Sequence, residues 1–267
     1  MAPCKLLAIL VIILSLAGCS ASQEKEEAAN CLLIYCGITM RHPIQDIATL
    51  FEEKHGCRVA IIQGGSEDLY QSLKLTRKGD LYLPGSPAYR EKYLAEGFLG
   101  DYVYVGANQA ALIVQKGNPK NISADINNLA NQRYSVVIGN PESGSIGQQT
   151  KKILEKAGIY DVVLRNSVSL PAASRNIRRS IVEDGIDLAM NWGSTASFPE
   201  NKELMDILVL PESIAPKKKL LLNLLSFSEN PELAKEFMLL AVSPEGQAVF
   251  KKYSFLDEIA VQGSLQR

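Results

Sequence analysis

A chain of 267 residues with 28 Lys and Arg against 29 Asp and Glu carries a formal charge of −1. That balance leaves no basic excess with which to hold a nucleic acid, and two histidines without clustered ligand spacing offer little to a transition-metal cation. The length suits one large domain or two lobes of about 100–130 residues each.

The first residues decide the compartment. Lys5 precedes an apolar run, Leu6 to Leu16, far short of the roughly 20 residues a spanning helix needs but of the length of a secretory h-region. Leu16-Ala17-Gly18-Cys19 looks like a bacterial lipobox. Residues 1–18 are then a signal peptide, Cys19 carries the lipid, and residues 19–30 form a polar tether; a plain signal peptide with a chance cysteine is the alternative. The expected location is extracytoplasmic, on the periplasmic face, anchored to a membrane by lipid. Cys31, Cys36 and Cys57 remain in an oxidising compartment, where three thiols allow at most one internal bridge.

From Leu32 short apolar runs alternate with helical periodicity. Leu32–Cys36 reads as a buried strand ended by Gly37. Ile44, Ile47, Ala48 and Phe51 form one face of a helix that Gly56 stops. Arg58–Ile62 is a second strand, Gly64-Gly65 a turn, and Ser66 the N-cap of a helix to about Lys78. Leu81–Leu83 is a third strand. This order predicts parallel pairing with crossover helices. Val103–Val114 is one extended apolar stretch. A second cycle follows: a strand at Ser135–Ile138, a helix at Gln148–Lys156, helical spacing over Ala172–Glu183 and a strand at Leu188–Asn191. Ile207–Leu210 leads out, Lys217-Lys218-Lys219 reads as a solvated loop, and Pro231–Ala241 as a late helix. Two α/β units joined by extended segments describe a two-lobed molecule, with residues 31–110 plus 211–267 as lobe I and 111–210 as lobe II. A ligand cleft is expected where strand ends and helix starts face each other.

Three segments carry a family likeness: Gly64-Gly65-Ser66, Val114-Gln115-Lys116-Gly117-Asn118-Pro119 and Ile138-Gly139-Asn140-Pro141-Glu142-Ser143. In this order and spacing the chain, from about Leu32 to Tyr253, resembles the periplasmic molybdate- and tungstate-binding proteins of ABC transporters. The resemblance implies the type II periplasmic-binding-protein fold, α/β, with two lobes of mixed, mostly parallel sheet and the ligand cleft between them. It implies no cofactor and no bare metal cation, but a tetrahedral oxyanion captured by hinge closure, a membrane permease as partner, and a monomer. Carried over by position, the oxyanion contacts fall at Thr39, Ser66, the backbone around Ile146 and the helix start near Arg175, with Trp192 where the family has a tyrosine. Thr39 stands where the family usually has serine. For Ser66 a helix cap alone is the competing reading, and for Arg175 a surface arginine beside Arg178 and Arg179. The fold places the strands begun by Cys31 and Cys57 side by side, so that pair is the expected disulfide. Ala110–Val114 and Val209–Ile214 are the expected hinges.

Uncharged donors suffice for such a ligand. Hydroxyls and backbone N–H groups at helix N-termini can hold a dianion without a counter-charge. Each charge-assisted hydrogen bond contributes roughly 1.5–3 kcal/mol. Three other readings stand beside this one: a binding protein for another oxyanion or small anionic organic ligand, a sensor using the same cleft, and a thiol enzyme pairing Cys36 with His42. No nucleophile elbow, Walker loop or dinucleotide fingerprint is present.

Overall fold

A computed structural model describes residues 30–255 and 265–266. The expected signal peptide, Cys19 and the tether up to residue 29 lie outside the described residues. The first half of lobe I runs β1 (Asn30–Gly37), α1 (Arg41–His55), β2 (Arg58–Gly64), α2 (Ser66–Thr76), β3 (Leu81–Leu83), α3 (Ala88–Tyr93) and β4 (Leu99–Asn108). Lobe II follows as β5 (Ala110–Gln115), β6 (Val136–Val137), α4 (Ser145–Lys156), α5 (Tyr160–Asn166), β7 (Ser167–Ser169), α6 (Ser174–Val182), β8 (Leu188–Trp192) and β9 (Met205–Leu208). The chain returns to lobe I through β10 (Lys218–Leu225), α7 (Pro231–Val242) and α8 (Pro244–Lys252).

Each lobe is built on one five-stranded mixed sheet, ordered β2-β1-β3-β10-β4 and β7-β6-β8-β5-β9. In both, three neighbouring strands are parallel and the fourth runs against them. Alternation along the strands explains the two cores of lobe I. Leu32, Ile34 and Cys36 of β1 and Leu81 and Leu83 of β3 face α1, α7 and α8, where Phe51, Phe237 and Phe250 are buried. Tyr35 and Tyr82 point the other way, onto Leu69, Tyr70 and Leu73 of α2. Lobe II closes a separate apolar core around β5 and β8, which are buried along almost their whole length.

Some expected elements are redrawn. The stretch Val103–Val114 splits at Gln109 into β4 and β5, which belong to different sheets. Ala110–Val114 is therefore not a hinge: it pairs with β8 on one side and β9 on the other, and a strand tied on both edges cannot swing. The crossing is Gln109 itself, whose side-chain amide donates to Leu210 O and Ala215 O at 2.9 and 2.7 Å, binding the outgoing and returning segments together. Leu210 and Ala215 pack in the lobe II core, so the return to lobe I falls after Ala215, several residues beyond the expected 210/211 boundary. Lys218 and Lys219 are not loop residues but the first of β10. The N-cap of α2 is Gly65, and Ser66 is its first residue.

A third link joins the lobes. The segment after β8 carries Phe198 into the lobe I core, 4% exposed, against the rings of His42, Tyr253 and Phe255. Cys31 and Cys57 form a disulfide across β1 and β2, Cα–Cα 5.7 Å.

Candidate functional site

Four helical starts meet between the lobes. From lobe I come the 3-10 turn Ile38–Met40 that leads into α1, and α2; from lobe II come α4 and α6. Each begins after a small residue, Gly37, Gly65, Gly144 or Ala173, and none has its first N–H groups capped by a side chain. The orphan donors of a helix start therefore face the space between them. Each also places one hydroxyl there: Thr39, Ser66, Ser145 and Ser174, none more than 7% exposed. Ile146 and Trp192 complete the wall, and no charged residue lines it.

Two of the hydroxyls are oriented by what they already accept. Gly85 N–H donates to Ser66 Oγ at 3.0 Å, and the Trp192 indole N–H to Ser145 Oγ at 3.3 Å, so both hydroxyl protons are free to point at a ligand. Thr39 Oγ1 donates to Met40 Sδ at 3.0 Å, a weak bond that a charged acceptor readily replaces. The lobes are closed. The Ser145 hydroxyl reaches Gly85, where a Cβ would collide with it, and a Cβ on Gly65 would lie 2.6 Å from the Ser143 carbonyl. Glycine at both positions is what permits the approach. The cavity between the lobes is about 10 Å³, close to the space one water fills.

Thr39, Ser66, Ile146 and Trp192 thus share one compartment, whereas Arg175 does not. The residue at the α6 start is Ser174, and Arg175, one step on, is exposed and lines an adjoining chamber of about 170 Å³. Ser145 and Ser174 escaped the sequence reading. The available signal was a small residue followed by serine ahead of a helical pattern, as in Gly65-Ser66. Of the two carboxylates in the first turn of α2, Glu67 is drawn away from the site, whereas Asp68 Oδ2 stays beside Gly65. Burial raises the Glu67 carboxyl, but hydrogen bonds from Tyr93, Gln71 and Lys92 outweigh this and hold it below the usual range, turned toward α3; Asp68 is exposed.

The thiol–histidine pairing is not formed. Cys36 is fully buried, its Sγ directed at Gly37 O, and burial pushes the thiol far up, while His42 Nε2 lies 2.7 Å from Glu200 Oε1. His55 stacks on Phe51 and faces Glu236. Among the described residues no group of three or more His, Cys, Asp or Glu is arranged to hold a metal ion, and no helix is long and apolar enough to cross a membrane.

The model of the bacterial extracellular solute-binding protein family matches residues 32–256. A binding protein of Haemophilus influenzae is 24% identical over 226 residues, which cover 84% of this chain and 90% of that protein. Among solved structures, the periplasmic molybdate-binding protein of Azotobacter vinelandii superposes with a TM-score of 0.74 at 15% identity, covering 85% of this chain and 99% of that one. Campylobacter jejuni PEB3 bound to L-phospholactate superposes with 0.69 at 16%, covering 85% and 100%. Identities this low carry the type II fold and nothing finer. With the family matched along almost the whole described chain, this protein belongs to the bacterial extracellular solute-binding proteins, the non-enzymatic ligand-capturing components of ABC transport systems, working outside the cytoplasm.

Proposed function

We propose that the protein is a lipid-anchored receptor that captures a tetrahedral oxyanion, molybdate or tungstate before others, and delivers it to a membrane permease. The observation that carries this reading is the meeting of four buried hydroxyls at four uncapped helical starts, two from each lobe, with no charged side chain among them. Such a site can make hydrogen bonds to an anion on all sides and offers a cation no negatively charged ligand. Because donors come from both lobes, the ligand binds the closed state more tightly than the open one and shifts the population toward it. The likeness to a molybdate-binding protein agrees with this choice of anion.

Thermal unfolding against molybdate, tungstate, sulfate and phosphate tests the reading, since a ligand bound only by the folded state stabilises by RT ln(1 + [L]/Kd). Stabilisation by these tetrahedral anions, largest with molybdate or tungstate, is the expected result. Replacing both Thr39 and Ser66 by alanine should weaken binding at least tenfold, about 1.4 kcal/mol; an unchanged Kd in that double variant would remove these residues from the site. Lipidation at Cys19 belongs to the same proposal, and a Cys19→Ala chain that stayed in the membrane fraction would count against it. A second reading, a small anionic organic ligand in the same cleft, is favoured by the chamber beside the compartment and by the likeness to PEB3 with L-phospholactate.

A further inference from the structure

The hydroxyl compartment is not isolated. Ile38, Thr39 and Ser174 form part of its wall and also part of the wall of the larger chamber next to it. The two spaces differ in chemistry. The compartment has no charged lining, whereas three arginines and one glutamate line the chamber: Arg41, Arg175, Arg178 and Glu200. Two of the arginines are engaged. Arg41 Nη2 pairs with Glu200 at 2.6 Å, and Arg178 donates to Asn201 Oδ1 at 2.8 Å and faces Glu183 at 3.4 Å. Arg175 has no hydrogen-bond or ion-pair partner among the described residues, so the chamber keeps an excess of positive charge.

A second observation is independent of charge: the two spaces are contiguous along Ile38, Thr39 and Ser174, and Arg175 follows Ser174 directly on α6. An unpaired guanidinium one residue beyond a hydroxyl of the compartment describes a place for a carboxylate joined to the oxyanion, which arginine binds with two parallel N–H donors.

We propose that the cleft is bipartite and takes a phosphate monoester of a short hydroxy acid, its phosphate among Thr39, Ser66, Ser145 and Ser174 and its carboxylate in the chamber at Arg175. The proposal rests on the reading that the hydroxyl compartment holds a tetrahedral oxyanion. It adds that the ligand carries an acidic tail, and that Arg175 selects for that tail.

A matched pair of probes tests this with the full chain: phosphoglycolate, and hydroxyethyl phosphate, which has the same phosphate and a CH2OH in place of the carboxylate. Titration calorimetry should give phosphoglycolate at least a tenfold lower Kd. Arg175→Ala should abolish that ratio while leaving binding of inorganic phosphate or molybdate within about threefold, and Arg175→Lys should restore part of it. Arg175 is exposed and unpaired, so its removal leaves the fold intact. Equal affinities for the two probes, with inorganic phosphate or molybdate still bound, would overturn the bipartite cleft and leave the oxyanion site standing. Failure of phosphoglycolate, phosphate and molybdate alike would overturn both.

Discussion

At the scale of residues the site is made of weak donors aimed well. Two hydroxyls of the compartment are held in place, Ser66 by Gly85 N–H and Ser145 by the Trp192 indole. Trp192 occupies the position where the resembled family has a tyrosine, yet its contribution is to orient Ser145, which explains how a residue with a single N–H can stand there. Glu200 illustrates a charged residue at the same cleft. Burial raises its carboxyl, but hydrogen bonds from its own backbone N–H, His42 and Arg41 outweigh this and hold it below the ordinary value of 4.5. A carboxyl depressed by folding stabilises the folded state above its unfolded value, and the contribution disappears as pH falls through the folded one. Urea midpoints should therefore decline below about pH 4.5, and the Glu200→Gln chain should decline less over that range. Parallel declines in the two would show that other carboxylates carry the effect.

At the scale of elements, period-2 and helical patterns sufficed wherever neighbours in sequence are neighbours in space. Strand Leu81–Leu83, the α1 face of Ile44, Ile47 and Phe51, and the stop at Gly56, whose φ is +65°, were all readable because each is set by local geometry. The strand β10 was not singled out. It lies between β3 and β4, antiparallel to both, and only a pairing more than a hundred residues long in sequence gives it a place. Its opening lysines read as loop because Lys218 and Lys219 sit on an end of the sheet that is only partly covered. The disulfide between the starts of β1 and β2 closes a loop with a sequence separation of 26, for which chain entropy gives about 3–4 kcal/mol. Reduction, or the Cys31→Ser, Cys57→Ser double variant, should lower the thermal midpoint without changing ligand affinity, since the bridge lies at the opposite end of these strands from Gly37 and Gly64. A midpoint unmoved by reduction would show that the bridge constrains little.

At the scale of the whole molecule, the proposed capture depends on how closely two separate cores approach. Gly65 and Gly85 of lobe I touch Ser143 and Ser145 of lobe II, and an added methyl group at either would hold the lobes apart. Gly85→Ala should leave the unfolding midpoint of the ligand-free protein nearly unchanged but weaken ligand binding by tenfold or more, because it penalises only the closed state. Tight binding in that variant would mean that closure does not require the contact. The chain crosses between the lobes at Gln109, at the return after Ala215 and at the Phe198 anchor. Composition, the charge balance, the cysteine count and the alternation of strand and helix patterns followed from the sequence alone, because each reflects a propensity local to the chain. The placement of Thr39 and Ser66 between a strand end and a helix start was legible for the same reason. That Ser145 and Ser174 join them, that Arg175 falls in a second chamber, and that Val103–Val114 divides between two lobes was decided only by tertiary structure. The rotation of one lobe on the other is set by contacts between residues far apart in the chain, and no local pattern encodes which of the helix starts will face one another.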